Sequence, residues 1–79
     1  MAQQVTMYTT EWCGHCRRLK RQLDEVGIEV VEVDVDLHRE HDGKIRAAGG
    51  GHRTVPTIEI GARLLVNPSV IEVKAALDG

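Results

Sequence analysis

The chain has 79 residues, 42% of them apolar, with twelve acidic and ten basic side chains and a formal charge of −2. This length fits one small domain, residues 1–79, near the lower limit for a self-sufficient core. The nearly balanced charge gives no general case for nucleic-acid binding. Since Trp12 and Tyr8 are the only aromatic residues, the core must be aliphatic.

No targeting or membrane segment is visible in the sequence. Residues 1–5 lack the charged and apolar regions of a secretory signal, and no apolar run approaches the roughly 18 residues that a membrane span needs. We therefore expect a cytoplasmic protein without membrane contact. Structural disulfides are rare in that compartment, so a closely spaced cysteine pair is more often catalytic or metal-binding. The sequence carries no dimer signal, and we expect a monomer.

Periodic patterns predict two strands and a helix in the first half of the chain. Residues 4–9 alternate as a strand, and a short loop then leads to a helix that ends near residue 26, before Gly27. One face of this helix carries its apolar positions, Cys16, Leu19, Leu23 and Val26. Residues 28–35 predict a second strand with Val31, Val33 and Val35 on one face.

The second half predicts a helix, a hairpin and a last helix. The weaker helix spans residues 37–48, with one row formed by Leu37, His41, Ile45 and Ala48, and ends at a triple glycine. Strands at 57–60 and 63–66 flank Gly61-Ala62, which suits a type II′ turn. Asn67 is expected as the N-cap and Pro68 as the first residue of a helix with apolar positions Val70, Ile71, Val73, Ala75 and Leu77.

The predicted element order is β-α-β-α-β-β-α. The first two strands, joined by a helix, should be parallel through a right-handed crossover, and the final hairpin should be antiparallel. We therefore expect an α/β fold with a four-stranded mixed sheet and three helices, which can cover both faces of the sheet.

The only two cysteines, Cys13 and Cys16, lie where the first strand passes into the first helix. A cysteine at a helix N-terminus feels the positive end of the dipole and free backbone N–H groups, which favour thiolate over thiol. Cys16 lies one turn further on, close enough to close a small disulfide ring. The pattern predicts a redox dithiol in which an accessible Cys13 attacks and an inward-facing Cys16 resolves.

Three stretches resemble the glutaredoxins, and among them the mycoredoxins, which work with mycothiol. They are Tyr8-Thr9-Thr10 with Trp12-Cys13-Gly14, Gly50-Gly51 with Arg53-Thr54-Val55-Pro56-Thr57, and Asn67-Pro68-Ser69 with Glu72-Val73-Lys74. The resemblance implies a thioredoxin-like fold, a redox-active disulfide between Cys13 and Cys16, and no bound cofactor. It also implies mycothiol as co-substrate and S-thiolated or disulfide-bonded proteins as partners.

The resemblance further implies roles for particular residues. Cys13 is expected as the nucleophile, and Pro56 as a cis proline that faces it, with the Val55 backbone pairing with substrate in strand fashion. Substrate contacts are expected from the matching positions Trp12, Gly14, Arg53, Thr54, Val55, Pro56, Asn67, Pro68 and Ser69.

Two positions depart from the family patterns. Glutathione-dependent glutaredoxins typically carry a Gly-Gly-x-Asp-like turn at the last helix, where this chain has Val66-Asn67-Pro68-Ser69. This difference favours another thiol, consistent with a sugar-based one. His15 stands where mycoredoxins usually have Tyr, and Cys-Gly-His-Cys is the pattern of disulfide isomerases, whose disulfides are more oxidising.

Several charged residues have two interpretations. His15 and Arg17 can tune the Cys13 thiolate or remain solvated, and Arg53 can meet an anionic partner or pair with a carboxylate. The basic run Arg17-Arg18-Lys20-Arg21 predicts a solvated face balanced by Asp24 and Glu25, or steering of acidic partners.

Other functions remain open at this point. A reductase-fed dithiol electron donor of glutaredoxin-like type is a second enzymatic hypothesis, although the Trp-Ser-Gly-Phe-Arg-Pro end of such donors is absent. The non-enzymatic hypothesis is a metal or iron–sulfur carrier that uses the two cysteines. His38 and His41 are spaced more tightly than zinc-finger histidines, so no metal site is predicted.

Overall fold

The computed structural model describes residues 3–78. Its strands are β1 (Val5–Thr9), β2 (Val30–Asp34), β3 (Thr57–Ile60) and β4 (Arg63–Val66), and its helices are α1 (Gly14–Glu25), α2 (Asp42–Ala48) and α3 (Val70–Asp78). The strands form one sheet in the order β2-β1-β3-β4. β1 pairs with β2 in parallel and with β3 antiparallel, and β3 pairs antiparallel with β4. The predicted α/β architecture and element order are confirmed.

Side-chain alternation along β1 divides the core between the two faces of the sheet. Val5 and Met7 pack with apolar residues of α1, β3 and α3 in the larger cluster, which also contains both cysteines. Tyr8 points to the other face and packs with Val35 and with Ile45 of α2. Both cysteines are therefore part of the main hydrophobic core.

The end of α1 follows from its sequence. Gly27 has a φ of 79° and donates to Asp24, and the next N–H, of Ile28, donates to the Leu23 carbonyl. This pair of bonds is the Schellman arrangement, which requires a left-handed residue and favours glycine. The predicted stop at Gly27 is confirmed, but Val26 is 47% exposed and lies outside the buried face.

The predicted helix over residues 37–48 is shorter than expected. After β2 the N–H groups of Leu37 and His38 both donate to the Asp34 carbonyl, and this turn leads into one 3-10 turn, Arg39–His41, before α2. Leu37 is consequently 76% exposed and does not share a buried row with Ile45. In β2, an edge strand, Val31 is also exposed instead of facing inward.

The hairpin matches its prediction, whereas the start of α3 does not. Gly61 has a φ of 59°, as the first position of a type II′ turn requires. Ser69, and not Asn67, caps α3: its hydroxyl accepts the Glu72 N–H at 3.1 Å, and the Glu72 carboxylate accepts the Ser69 N–H at 2.8 Å. The buried positions of α3 are Val73 and Ala76, so Ile71 and Ala75 face solvent.

Candidate redox site

Cys13 is the N-cap residue of α1. Its backbone is extended, with φ −86° and ψ 106°, and its sulfur accepts a hydrogen bond from the Cys16 N–H at 3.2 Å. The sulfur thus takes the place that a Ser or Asp oxygen commonly fills at a helix start. The sulfur thereby satisfies one of the N–H groups that the start of a helix leaves without a partner.

The sequence prediction of an accessible Cys13 is wrong for this structure, in which the residue is 5% exposed. Its sulfur lies 3.9 Å from the carbonyl oxygen of Val55, which belongs to the segment before β3. The peptide bond between Val55 and Pro56 is cis, as the resemblance implied. Cys13 is therefore covered by a segment that lies 42 positions further along the chain.

Cys16 occupies a different environment one turn into α1. It is 1% exposed, and burial, together with the neighbouring Cys13 sulfur, raises the pKa of its thiol to about 11. The Thr9 hydroxyl and the Thr10 backbone act in the opposite direction but do not reverse the shift. Cys16 is thus a neutral thiol near neutral pH. It would have to lose its proton before it could form a disulfide with Cys13.

The predicted site residues next to Cys13 in the chain differ in how firmly hydrogen bonds hold them. Trp12 is 69% exposed, and its indole N–H donates to the Asp36 carboxylate at 3.2 Å. Arg17 donates to the Glu11 carbonyl at 3.4 Å, which ties its guanidinium to the loop before Cys13. His15 is exposed on the first turn of α1, and Gly14 is the first residue of that helix.

Arg53 is engaged by two carboxylates within the fold. Its Nη2 donates to Asp36 at 2.8 Å and its Nε donates to Asp42 at 3.0 Å, and the Arg53 side chain is 17% exposed. Of the two predicted roles for Arg53, the structure shows the pairing with carboxylates, one from the loop after β2 and one from α2. The contact with an anionic substrate stays a prediction.

Asp36 was not singled out from the sequence. It follows β2 by two residues, at the edge where the carboxyl ends of the parallel strands β1 and β2 meet. In α/β sheets that edge is where functional groups converge, so the signal was an acid just after a predicted parallel strand. The Arg53 guanidinium and, less strongly, the Trp12 indole lower the pKa of the Asp36 carboxyl.

The Asn67-Pro68-Ser69 segment lies beside the cis-proline segment. The Asn67 N–H donates to the Pro56 carbonyl at 2.8 Å, which continues the ladder between β3 and β4 by one step. Asn67 has a left-handed φ of 49°, which turns the chain into α3, and this explains why it does not cap the helix. Pro68 is buried, whereas Asn67 and Ser69 are exposed.

Two broader features can be stated for residues 3–78. They hold no cluster of three or more His, Cys, Asp or Glu side chains arranged to bind a metal ion. None of the helices in this range has the length and apolar character needed to cross a membrane.

A helix-capping cysteine in contact with the residue before a cis-proline, and a buried second cysteine one turn on, define a thioredoxin-like dithiol redox protein. Comparison with known proteins identifies the family. The Glutaredoxin family profile matches residues 5–65. The chain therefore belongs to the glutaredoxin family, whose members act on disulfides with a low-molecular-weight thiol.

Individual relatives agree with this assignment. A protein of Mycobacterium tuberculosis named as a glutaredoxin is 45% identical over 74 residues, or 92% of this chain and 88% of the relative. Mycoredoxin 1 of Corynebacterium glutamicum is 36% identical over 75 residues, or 94% and 92%. The crystal structure of a glutaredoxin from Archaeoglobus fulgidus has a TM-score of 0.78 at 23% identity, covering 100% of this chain and 89% of that one, so the fold is shared.

Proposed function

We propose that this chain is a mycothiol-dependent oxidoreductase of the mycoredoxin type, which reduces mixed disulfides between proteins and mycothiol. The observation that carries the proposal is the Cys13 sulfur at the start of α1, hydrogen-bonded to the Cys16 N–H. The similarity to Mycoredoxin 1 supports mycothiol as the thiol. So does Val66-Asn67-Pro68-Ser69, which replaces the Gly-Gly-x-Asp-like turn expected of a glutathione site.

The reaction is a pair of thiol–disulfide exchanges. The Cys13 thiolate attacks the mycothiol sulfur of the mixed disulfide, that disulfide bond breaks, and the partner leaves as a thiolate that takes a proton from solvent. A second mycothiol thiolate then attacks the mycothiol sulfur bound to Cys13, which releases mycothiol disulfide and restores the Cys13 thiolate. Overall, the mixed disulfide and one free mycothiol give the reduced partner protein and mycothiol disulfide, so one disulfide is exchanged for another.

Cys16 offers a second way to clear Cys13. After losing its proton, Cys16 attacks the Cys13 sulfur, which closes the disulfide between them and releases mycothiol. An external dithiol reductant must then reduce that disulfide. The pKa of about 11 for the Cys16 thiol makes this step slow near neutral pH, so the monothiol route is the main one in the proposal.

The substrate is held by the segments that surround Cys13. In the proposal, Val55 offers its backbone to an extended partner chain, flanked by Thr54 and Pro56. We propose that Trp12 and Gly14 contact the substrate from the side of α1, and that Asn67, Pro68 and Ser69 contact it from the side of α3. We further propose that residues 1–79 act as one domain, as a monomer in the cytoplasm, without nucleic-acid or membrane partners.

The test compares Cys13→Ser and Cys16→Ser with the unmodified chain on one carrier protein, loaded either with mycothiol or with glutathione. We expect much faster turnover with the mycothiol adduct, no turnover by Cys13→Ser and measurable turnover by Cys16→Ser. Equal loss in both variants would assign a dithiol route, as in a reductase-fed electron donor. Faster removal of glutathione would refute the choice of thiol, and a visible absorbance band of the pure protein would favour an iron–sulfur carrier.

A further inference from the structure

We infer that Asp36 is a positioning residue. Its carboxylate holds the loop of residues 10–13, which contains Trp12 and Cys13, in a fixed position relative to residues 53–56. The effect on turnover rests on the proposed function, whereas the effect on the position of Trp12 does not. Nothing in the spacing of the sequence suggested this role, because the residues involved lie in three separate parts of the chain.

The two oxygens of the Asp36 carboxylate serve two different segments. Oδ2 accepts the Trp12 indole N–H at 3.2 Å, and Oδ1 accepts Nη2 of Arg53 at 2.8 Å. The Asp36 N–H donates to the Asp34 carboxylate at 2.9 Å, which fixes the turn that presents the side chain. Asp36 thus connects the loop before α1 with the segment before β3 through the end of β2.

Both connected segments adjoin Cys13. Trp12 directly precedes Cys13 in the chain, and Val55, two residues after Arg53, places its carbonyl oxygen 3.9 Å from the Cys13 sulfur. A shift of either segment therefore changes the space between Cys13 and Val55 that a mixed disulfide must enter. Displacements of about 1 Å suffice to lower the rate of an enzymatic reaction strongly. The Asp36 carboxylate, which connects these two segments, therefore influences turnover without contacting the substrate.

An ordinary surface ion pair would not have this effect, and the chain contains one for comparison. Lys20 and Asp24 pair at 2.8 Å, but they lie one turn apart on α1 and join no separate elements. Such exposed pairs contribute little to stability. Asp36 differs because its carboxylate joins two segments that are distant in the chain, the loop that contains Trp12 and the segment that contains Arg53, whose side chain is 17% exposed.

The experiment compares Asp36→Asn with Asp42→Asn, a matched control that also removes a carboxylate from Arg53 but does not contact Trp12. Trp12 is the only tryptophan, so its fluorescence anisotropy reports its mobility without any substrate. We expect faster local rotation of the indole in Asp36→Asn and wild-type rotation in Asp42→Asn. Asp36→Glu, which keeps the charge, should recover part of the anisotropy.

Turnover provides the second readout. On a mycothiolated carrier protein, Asp36→Asn should lower kcat/KM about five- to tenfold, mainly through KM, as expected for losing a hydrogen bond to a charged group. Alkylation of Cys13 by iodoacetamide, which needs no fitted cleft, should not slow by more than about twofold. Asp42→Asn should leave kcat/KM within about twofold of the unmodified chain.

Either of two results would overturn the inference. One is unchanged indole rotation in Asp36→Asn, and the other is an equal fall of kcat/KM in Asp36→Asn and Asp42→Asn. Thermal unfolding of each variant identifies a loss that comes from instability. If the unmodified chain fails to release mycothiol, the proposed function fails, and the anisotropy comparison still decides the role of Asp36.

Discussion

The Cys13 sulfur lies 3.2 Å from the Cys16 backbone nitrogen, so the residue that caps α1 receives its hydrogen bond from the second cysteine. Both cysteines belong to the larger apolar cluster, but their surroundings differ. The Cys13 sulfur accepts a backbone N–H at the helix start, whereas Cys16 lies one turn further on and its thiol has a raised pKa. This difference leads to the first prediction.

Iodoacetamide should label Cys13 well before Cys16. Burial raises the pKa of Cys16 to about 11, so at pH 8 roughly one Cys16 side chain in a thousand is a thiolate. That fraction rises about tenfold per pH unit until the pH reaches the pKa, so labelling of Cys16 should increase steeply above pH 9. Peptide mass spectrometry of the reduced protein measures both rates, and the denatured chain, in which both cysteines should react alike, is the control. Equal rates in the folded protein would contradict the assignment.

Gly49→Ala should destabilise the fold. A Cβ at this position would lie 2.5 Å from the His52 carbonyl oxygen, a backbone atom that cannot move without displacing the segment that leads to Arg53. We expect a loss of about 1–3 kcal/mol in the free energy of unfolding, as for other overpacked sites. Urea denaturation measures the change.

Gly43→Ala is the matched control for this substitution. A Cβ at Gly43 would meet nothing within 4 Å, and the residue lies in the first turn of α2. Because Ala favours helix over Gly, this variant should gain up to about 1 kcal/mol. A neutral Gly49→Ala variant would show that the His52 carbonyl can give way.

Thr10→Val and Thr57→Val should change stability in opposite directions. Within the described residues, the buried Thr10 hydroxyl has no hydrogen-bond partner, whereas the buried Thr57 hydroxyl donates to the Thr54 carbonyl at 2.7 Å. Removing an unpaired buried hydroxyl should stabilise by about 1 kcal/mol, and removing a paired one should cost about 1–2 kcal/mol. Thermal unfolding of the reduced protein separates the two variants. A loss in both would mean that the Thr10 hydroxyl finds a partner in solution.

Local features were predictable from the sequence because neighbouring residues determine them. The start of α1 at the cysteine pair and the glycine stop at Gly27 depend only on residues within the same turn. The start of α3 could also have been predicted locally, because Ser69 and Glu72 have the spacing of a capping box. The prediction instead relied on Pro68 as the first helical residue, which made Asn67 the expected N-cap. The structure follows the capping box, in which Ser69 and Glu72 exchange two hydrogen bonds.

Features that depend on distant parts of the chain were not predictable in the same way. The burial of Cys13 depends on Val55, and the restraint of Trp12 depends on Asp36, which lies 24 positions away. Periodicity shows which face of an element is apolar, but it does not show which loop will cover it. The resemblance to glutaredoxins supplied the cis-proline segment, whereas the carboxylate between the two loops had no counterpart in any motif.

The low exposure of Cys13 has a consequence for the lifetime of the protein under oxidative stress. A sulfur that is 5% exposed meets few hydrogen peroxide molecules from bulk solvent, whereas a disulfide delivered in an extended chain can be aligned with it. Further oxidation of a cysteine to sulfinic acid is irreversible for most proteins. Because the segment that covers Cys13 limits direct contact between its sulfur and oxidants in solvent, we expect this irreversible oxidation to be slower than for a fully exposed cysteine.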